Sequence, residues 1–304
     1  MAAARRDSLG FAFVGASFLI FGSIGALVRM TAMPESTLIV ARMVIAASLV
    51  GVIFARRPLL DELRDRRTLG WLCLMGAFSA STLLLYFVAL RLTDVAIGTF
   101  LMFTGPVYVA LVAPRLLHQR TDRIVYPALA LAVAGMLAIL LPGLVGAQRV
   151  SVAGIACGVA TGVLYAAYAF TAKFLTRTRR SVTIALSEMV LDAVFLLPLA
   201  VWQVADTGYR LTQHDLVVTL VLGVVCTALP YVMYIEGLRR IRVEHASILG
   251  FLEPVSAPFY ALLLLGESTS ATTVVGGALI VVAGVLVVAF GSPEEAAAGE
   301  VVPT

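Results

Sequence analysis

The sequence predicts an all-α membrane protein with ten transmembrane helices in two inverted five-helix repeats. Three observations carry this. First, 61% of the 304 residues are hydrophobic, only 13% are charged, and the mean hydropathy is +1.00. Apolar runs of about 20 residues recur along the whole length, which is what crossing a bilayer requires. Second, sliding the sequence by 148 residues lays 86–119 on 234–267 without a gap. There are 11 identities in 34 pairs, among them Tyr86 with Tyr234, Arg91 with Arg239, Phe103 with Phe251 and Pro106-Val107 with Pro254-Val255. Such a match marks an internal repeat. Third, basic residues alternate in density from one connection to the next.

The ten spans fall at 10–30, 34–54, 69–91, 95–117, 124–142, 151–174, 181–203, 215–238, 245–266 and 272–291. Residues 1–145 form the first repeat, 146–291 the second, and 292–304 an acidic, small-residue tail of disordered composition. The run 11–28 has no small-residue cleavage site and reads as a membrane helix rather than a signal peptide. With the N-terminus inside, 17 basic residues lie on the inner side and 4 on the outer. The inner set includes Arg56, Arg57, Arg120, Lys173 and Arg239. That bias predicts both termini inside, in a prokaryotic cytoplasmic membrane. Five spans per repeat is an odd number, so the second repeat starts from the opposite side and the halves are inverted. Inverted halves place a cavity at their interface.

The ninth span is the most informative stretch. It carries Glu253, Pro254 and Pro258 within an apolar run. A central acid and two mid-helix prolines are costly in lipid and suit a helix bent around a wet cavity. In the sixth span Gly154, Gly158 and Gly162 recur every four residues beside Tyr165, a groove for close helix approach.

Intramembrane ionisable groups are the candidate functional residues. Arg42 lies in the second span, and Glu188 and Asp192 stand one turn apart in the seventh. The last two have no local basic partner: they either pair with Arg42 across the bundle or face water. Arg42 itself is either a partner for a carboxylate or a substrate ligand. Glu236 reads as an interfacial acid facing Arg239 or Arg240. Glu253 either satisfies backbone groups freed by the prolines or faces the cavity and titrates during transport. Burial disfavours charge, so these carboxyls suit a proton-coupled carrier. Among the amphipathic tyrosines Tyr86, Tyr165, Tyr168, Tyr231, Tyr234 and Tyr260, the first choices for the pocket are Tyr86, Tyr165 and Tyr234. The predicted substrate ligands are therefore Tyr86, Tyr165, Tyr234, Glu253 and Arg42, and the predicted proton carriers Glu253, Glu188 and Asp192.

Cys73, Cys157 and Cys226 stand singly, and His118, His214 and His245 lie far apart at span ends, reading as interfacial residues. No metal spacing, cofactor motif, Walker A sequence or catalytic signature is present, and the basic residues form no nucleic-acid patch. No enzyme activity and no cofactor are expected. An intramembrane enzyme would need a catalytic cluster, and a receptor or scaffold a sizeable soluble domain.

The doubled half, with the runs Tyr86…Ala-Leu-Arg…Pro-Val and Tyr234…Gly-Leu-Arg…Glu-Pro-Val…Leu-Gly-Glu, resembles the drug/metabolite transporter superfamily, specifically its EamA-type members. The likeness covers about residues 10–291 and includes Arg42, where the family often has an arginine, and the Ala134-Gly135 and Ala283-Gly284 pairs. Departures are Gln119 in place of the first repeat's Gly-Glu ending, Gly105 in place of an acid before Pro106, and the absence of a first-span tryptophan. The resemblance implies a secondary transporter exporting a small metabolite such as an amino acid by alternating access, with import as the alternative direction. Its expected partners are the substrate, the bilayer and protons, as a monomer or homodimer.

Overall fold

The structure is a computed structural model. It describes residues 2–54, 62, 64–117, 122–146, 151–267 and 269–291, with backbone alone for 2–7. The tail 292–304 lies outside the described residues, as do Arg56, Arg57, His118, Gln119, Arg120 and Arg149.

Among the described residues ten segments are long and apolar enough to cross a membrane, from Ser8–Val28 to Ala271–Phe290, and each overlaps one predicted span. The first span is α1 (Ala2–Phe21) and α2 (Ser23–Val28), followed by α3 (Glu35–Phe54) and α4 (Arg66–Leu92). The fourth span divides into α5 (Val95–Met102) and α6 (Thr104–Leu116). Then come α7 (Val125–Val145), α8 (Val152–Thr176) and α9 (Ser181–Thr207). The eighth span is α10 (Gln213–Gly223), a π-helical turn (Val224–Ala228) and α11 (Leu229–Leu238). The ninth divides into α12 (Val243–Leu249) and α13 (Leu252–Leu265), and the tenth is α14 (Ala271–Phe290).

Helix ends follow local chemistry. Asp65, Ser151 and Ser270 accept backbone N–H bonds at the starts of α4, α8 and α14. Thr212 and Asp215 form a reciprocal capping box at α10. Gly208 and Gly266 end α9 and α13 in the left-handed region, with φ of 61° and 70°, where a side chain would be strained.

The sequence reads Pro106 and Pro254 as mid-helix prolines; the structure corrects this. Both spans are broken in equivalent places ahead of the proline, at Phe103 and at Gly250-Phe251, with each phenylalanine three residues before its proline. Each proline therefore sits in the first turn of a new helix, where its missing N–H has no intrahelical acceptor to lose. Pro258 does lie inside its helix, α13, as Pro114, Pro142 and Pro198 do inside α6, α7 and α9. The rings of Phe103 and Phe251 meet at the two breaks, 5.8 Å apart.

Packing follows a reciprocal pattern. Helix α4 lies on α8, and α11 on α1; α6 lies on α8, and α13 on α1. Two pairs close the bundle, α3 with α9 and α7 with α14. The α7–α14 crossing is centred on Gly135 and Gly276: a Cβ on either would clash with the other's carbonyl oxygen. The predicted glycine groove of α8 is used as expected. A Cβ on Gly158 would lie 2.7 Å from Leu101 Cδ1, and Gly154 and Gly162 are filled by Thr93 and Thr104 in the same way.

Candidate functional site

The breaks bring backbone and side chains to a central cavity of about 170 Å³. Phe18 and Phe21 of α1 form its apolar wall with Leu83 and Met102. Edge-to-face contacts fix that wall, Phe18 against Tyr234 at 5.5 Å and Phe21 against Tyr231 at 5.4 Å. Its polar residues come from facing helices: Arg42 from α3, Ser79 and Thr82 from α4, Tyr165 and Tyr168 from α8, Glu188 from α9, and Glu253 from α13.

Arg42 is the centre of the site. It is 7% exposed, and its Nε and Nη1 have no hydrogen-bond partner. No ion pair joins it to a carboxylate among the described residues. It acts on Asp192 and Glu253 only through space. A buried guanidinium without a paired anion is costly and has capacity left for a bidentate ligand.

The two acids of α9 part company. Glu188 lines the cavity and accepts a hydrogen bond from the Tyr168 hydroxyl at 3.1 Å. Asp192 is fully buried one turn further on, outside the cavity lining; its Oδ2 accepts from Ser79 at 3.0 Å and its Oδ1 has no partner. The open choice in the sequence is thereby resolved: neither acid ion-pairs with Arg42, Glu188 faces the cavity, and Asp192 stands behind it.

Glu253 begins α13 and lines the cavity. Its side chain bonds to no backbone group freed by the prolines; the local bracing comes from Ser256, whose hydroxyl donates to the Glu253 carbonyl at 3.1 Å. At a helix start, the backbone dipole favours negative charge. The equivalent Gly105 is filled by an aromatic ring: a Cβ there would lie 2.6 Å from Tyr165 Cδ1.

Of the predicted ligands, Arg42, Tyr165, Tyr234 and Glu253 meet in this cavity. Tyr86 does not. Its hydroxyl pairs with Thr99 at 3.1 Å, between α4 and α5. Tyr168 and Tyr231 take the place intended for it. Each lies three residues from a predicted ligand, Tyr165 or Tyr234, so helical spacing alone puts them on the same face.

Three further residues are placed by their contacts. Glu236 pairs with Arg240, whose Nε lies 3.0 Å away, and also accepts from Ser181 at 2.6 Å. Lys173, counted with the inner-side basic residues, is 1% exposed and donates to the carbonyls of Leu238 and Ile241 at 2.7 and 2.6 Å. His245 stands at the start of the ninth span, 1% exposed, with its Nε2 2.8 Å from Asp122.

The EamA-like transporter family pattern matches residues 8–141 and 152–290. The chain belongs to this family of membrane transporters. It is 26% identical over 191 residues to the threonine/homoserine exporter RhtA of Salmonella typhimurium, covering 63% of this chain and 61% of that one. It is 26% identical over 193 residues to the uncharacterized transporter YwfM of Bacillus subtilis, covering 63% and 64%. An uncharacterized transporter of Archaeoglobus fulgidus is 28% identical over 212 residues, covering 70% and 72%. The match thus spans under two thirds of RhtA and YwfM. A protein crystal structure superposes with a TM-score of 0.77 at 18% identity, over 92% of this chain and 96% of that one, a likeness of fold alone.

Proposed function

We propose that this EamA-family transporter exports a small zwitterion such as an amino acid by alternating access. The observation that carries the reading is Arg42: a buried guanidinium with unused donors faces a cavity that also holds Glu188 and Glu253. A carboxylate on Arg42 and an ammonium on Glu253 would neutralise charges that the protein leaves apart. The phenyl and tyrosyl wall would take an apolar side chain. The similarity to a named threonine/homoserine exporter supports both the solute class and the direction.

Two inverted repeats of five spans are part of the same proposal, divided as 1–145 and 146–291. Support comes from the equivalent breaks at Phe103 and Phe251, the reciprocal helix pairing, and the two separate family matches. Such halves supply two facing states around one site. Protons are the proposed coupling ion, carried by Glu253 or by the Glu188–Asp192 pair. The proposed orientation has both termini in the cytoplasm; a periplasm-active reporter that lights up after Thr304 would overturn it.

The test of function is flux of labelled threonine, homoserine and apolar amino acids in proteoliposomes, with and without a pH gradient. At least one zwitterion should move above the rate of empty vesicles, and Arg42→Gln should abolish that flux while leaving the protein folded. Transport equal in Arg42→Gln and the parent would remove the guanidinium from the site.

A further inference from the structure

The two broken spans are closed to different degrees. All seven residues of α12, Val243 to Leu249, are buried, whereas in α5 only Gly98 is. Phe11 of α1 and Gly291 at the end of α14 both lie against His245, so α12 sits at the end of the bundle that holds the start of α1 and the end of α14. That end is sealed. The opposite end, around α5, is loosely covered.

Polar contacts fasten α12 and its approach. Lys173 holds the turn that precedes it, and Arg242 pairs with Glu244 at 2.5 Å. Both contacts stay within residues 151–291. His245–Asp122 differs. It joins α12 to the connection before α7, in the other half of the chain, at 2.8 Å, with side chains 1% and 6% exposed. Phe11 adds a second contact from the first half, stacked on the imidazole at 5.8 Å and 25°. At the equivalent position of α5, 148 residues earlier, stands Ile97, which has no polar side-chain atom for such a contact.

The geometry points to Asp122–His245 as the latch that holds α12 shut, and whose parting lets this end of the bundle open. Helix α12 is a short lever. Its far end is the break at Gly250-Phe251, next to Glu253 and the cavity. Fixing its near end to the first half blocks a path from that end to the cavity. Releasing it leaves α12 hinged at the break, since no intrahelical hydrogen-bond ladder runs unbroken from α12 into α13. This rests on the alternating-access reading, but the test needs no transported solute, so the two can fail separately.

Ser247, 4% exposed within α12, becomes the reporter as Ser247→Cys, in full-length protein in lipid nanodiscs with Cys73, Cys157 and Cys226 replaced by alanine. The readout is its rate of reaction with a membrane-impermeant maleimide. Two latch variants are compared. Asp122→Ser keeps an oxygen for the Ile124 N–H, which Asp122 now accepts at 3.3 Å, but is too short for His245. His245→Phe keeps the stack on Phe11 and loses the contact between Nε2 and the Asp122 carboxylate. Each should raise the labelling rate about tenfold, the change given by about 1.4 kcal/mol of lost closure. Size-exclusion profile and melting temperature establish that each variant is folded. Labelling as slow as in the latched protein in both folded variants would overturn the proposal. Faster labelling in only one would also overturn it, since the residue would then act alone. If His245→Phe fails to fold, His245→Gln takes its place under the same criterion.

Discussion

The fourth and ninth spans use one backbone device for two ends. Both break at a phenylalanine, and both restart with a proline in the first turn. They differ in the residue before that proline. In the fourth span Gly105 lets the Tyr165 ring lie against the helix; in the ninth Glu253 puts a carboxyl into the cavity. One break supplies wall, and the other supplies charge. A buried charge near the bilayer centre costs about 2.5–3.5 kcal/mol on insertion scales. Placing one such group rather than two halves that cost while keeping a symmetric backbone. The glycine is therefore not a missing acid: the space for an acid is taken by an aromatic ring.

The comparison can be broken most severely at its frame. Gly158→Leu should push α5 off α8, because even a Cβ there lies 2.7 Å from Leu101. We expect a loss of about 1–3 kcal/mol and a sharp fall in folded yield. Gly146→Leu, past the end of α7, should leave both unchanged. Equal thermal melts for the two would mean that the fourth span is not held by this groove.

The charged half is tested by Glu253→Gln, which keeps size and hydrogen bonding but cannot ionise. Normal insertion is expected, with solute binding weakened by loss of the anion that faces the ammonium and with the pH dependence of flux from about pH 5 to pH 8 lost. Parallel pH curves for the variant and the parent would make Glu253 wall as well, and move the proton to Glu188 and Asp192.

A smaller effect belongs to the glycine. Gly105→Ala should drive the Tyr165 ring into the cavity and weaken solute affinity about tenfold, or about 1.4 kcal/mol. Unchanged affinity in a binding titration would show that the ring yields elsewhere. The smallest effect is expected at Tyr86, which pairs with Thr99 outside the cavity. Tyr86→Phe should alter affinity by less than about 0.5 kcal/mol.

The ten spans were legible in the sequence because an apolar run of bilayer length has few other uses. The breaks were not. Proline marks a disturbance but does not say whether it bends a helix or begins one. The deciding feature, a phenylalanine three residues before each proline, has no meaning until the two rings are seen to meet. At the site, Arg42, Glu188 and Glu253 were legible because charge in an apolar run is rare. Choosing among tyrosines requires the rotation of each helix, which composition does not fix. The pairs Tyr165/Tyr168 and Tyr231/Tyr234 are a usable signal of shared faces, and Tyr86 has no tyrosine three or four residues away. Asp192 was correctly seen as lying on the Glu188 face, but one helical turn was enough to carry it from the cavity into the packed interior.

Lys173 has a consequence for handling the protein at the bench. It is the sole lysine in the chain, and its amine is committed to two carbonyls where α8 meets the turn after α11. Acylating reagents, amine-coupled dyes and lysine-directed proteases therefore find no side-chain target on the closed molecule. Derivatisation at this position would report an excursion in which that junction comes apart, and its rate would time the excursion without any engineered label.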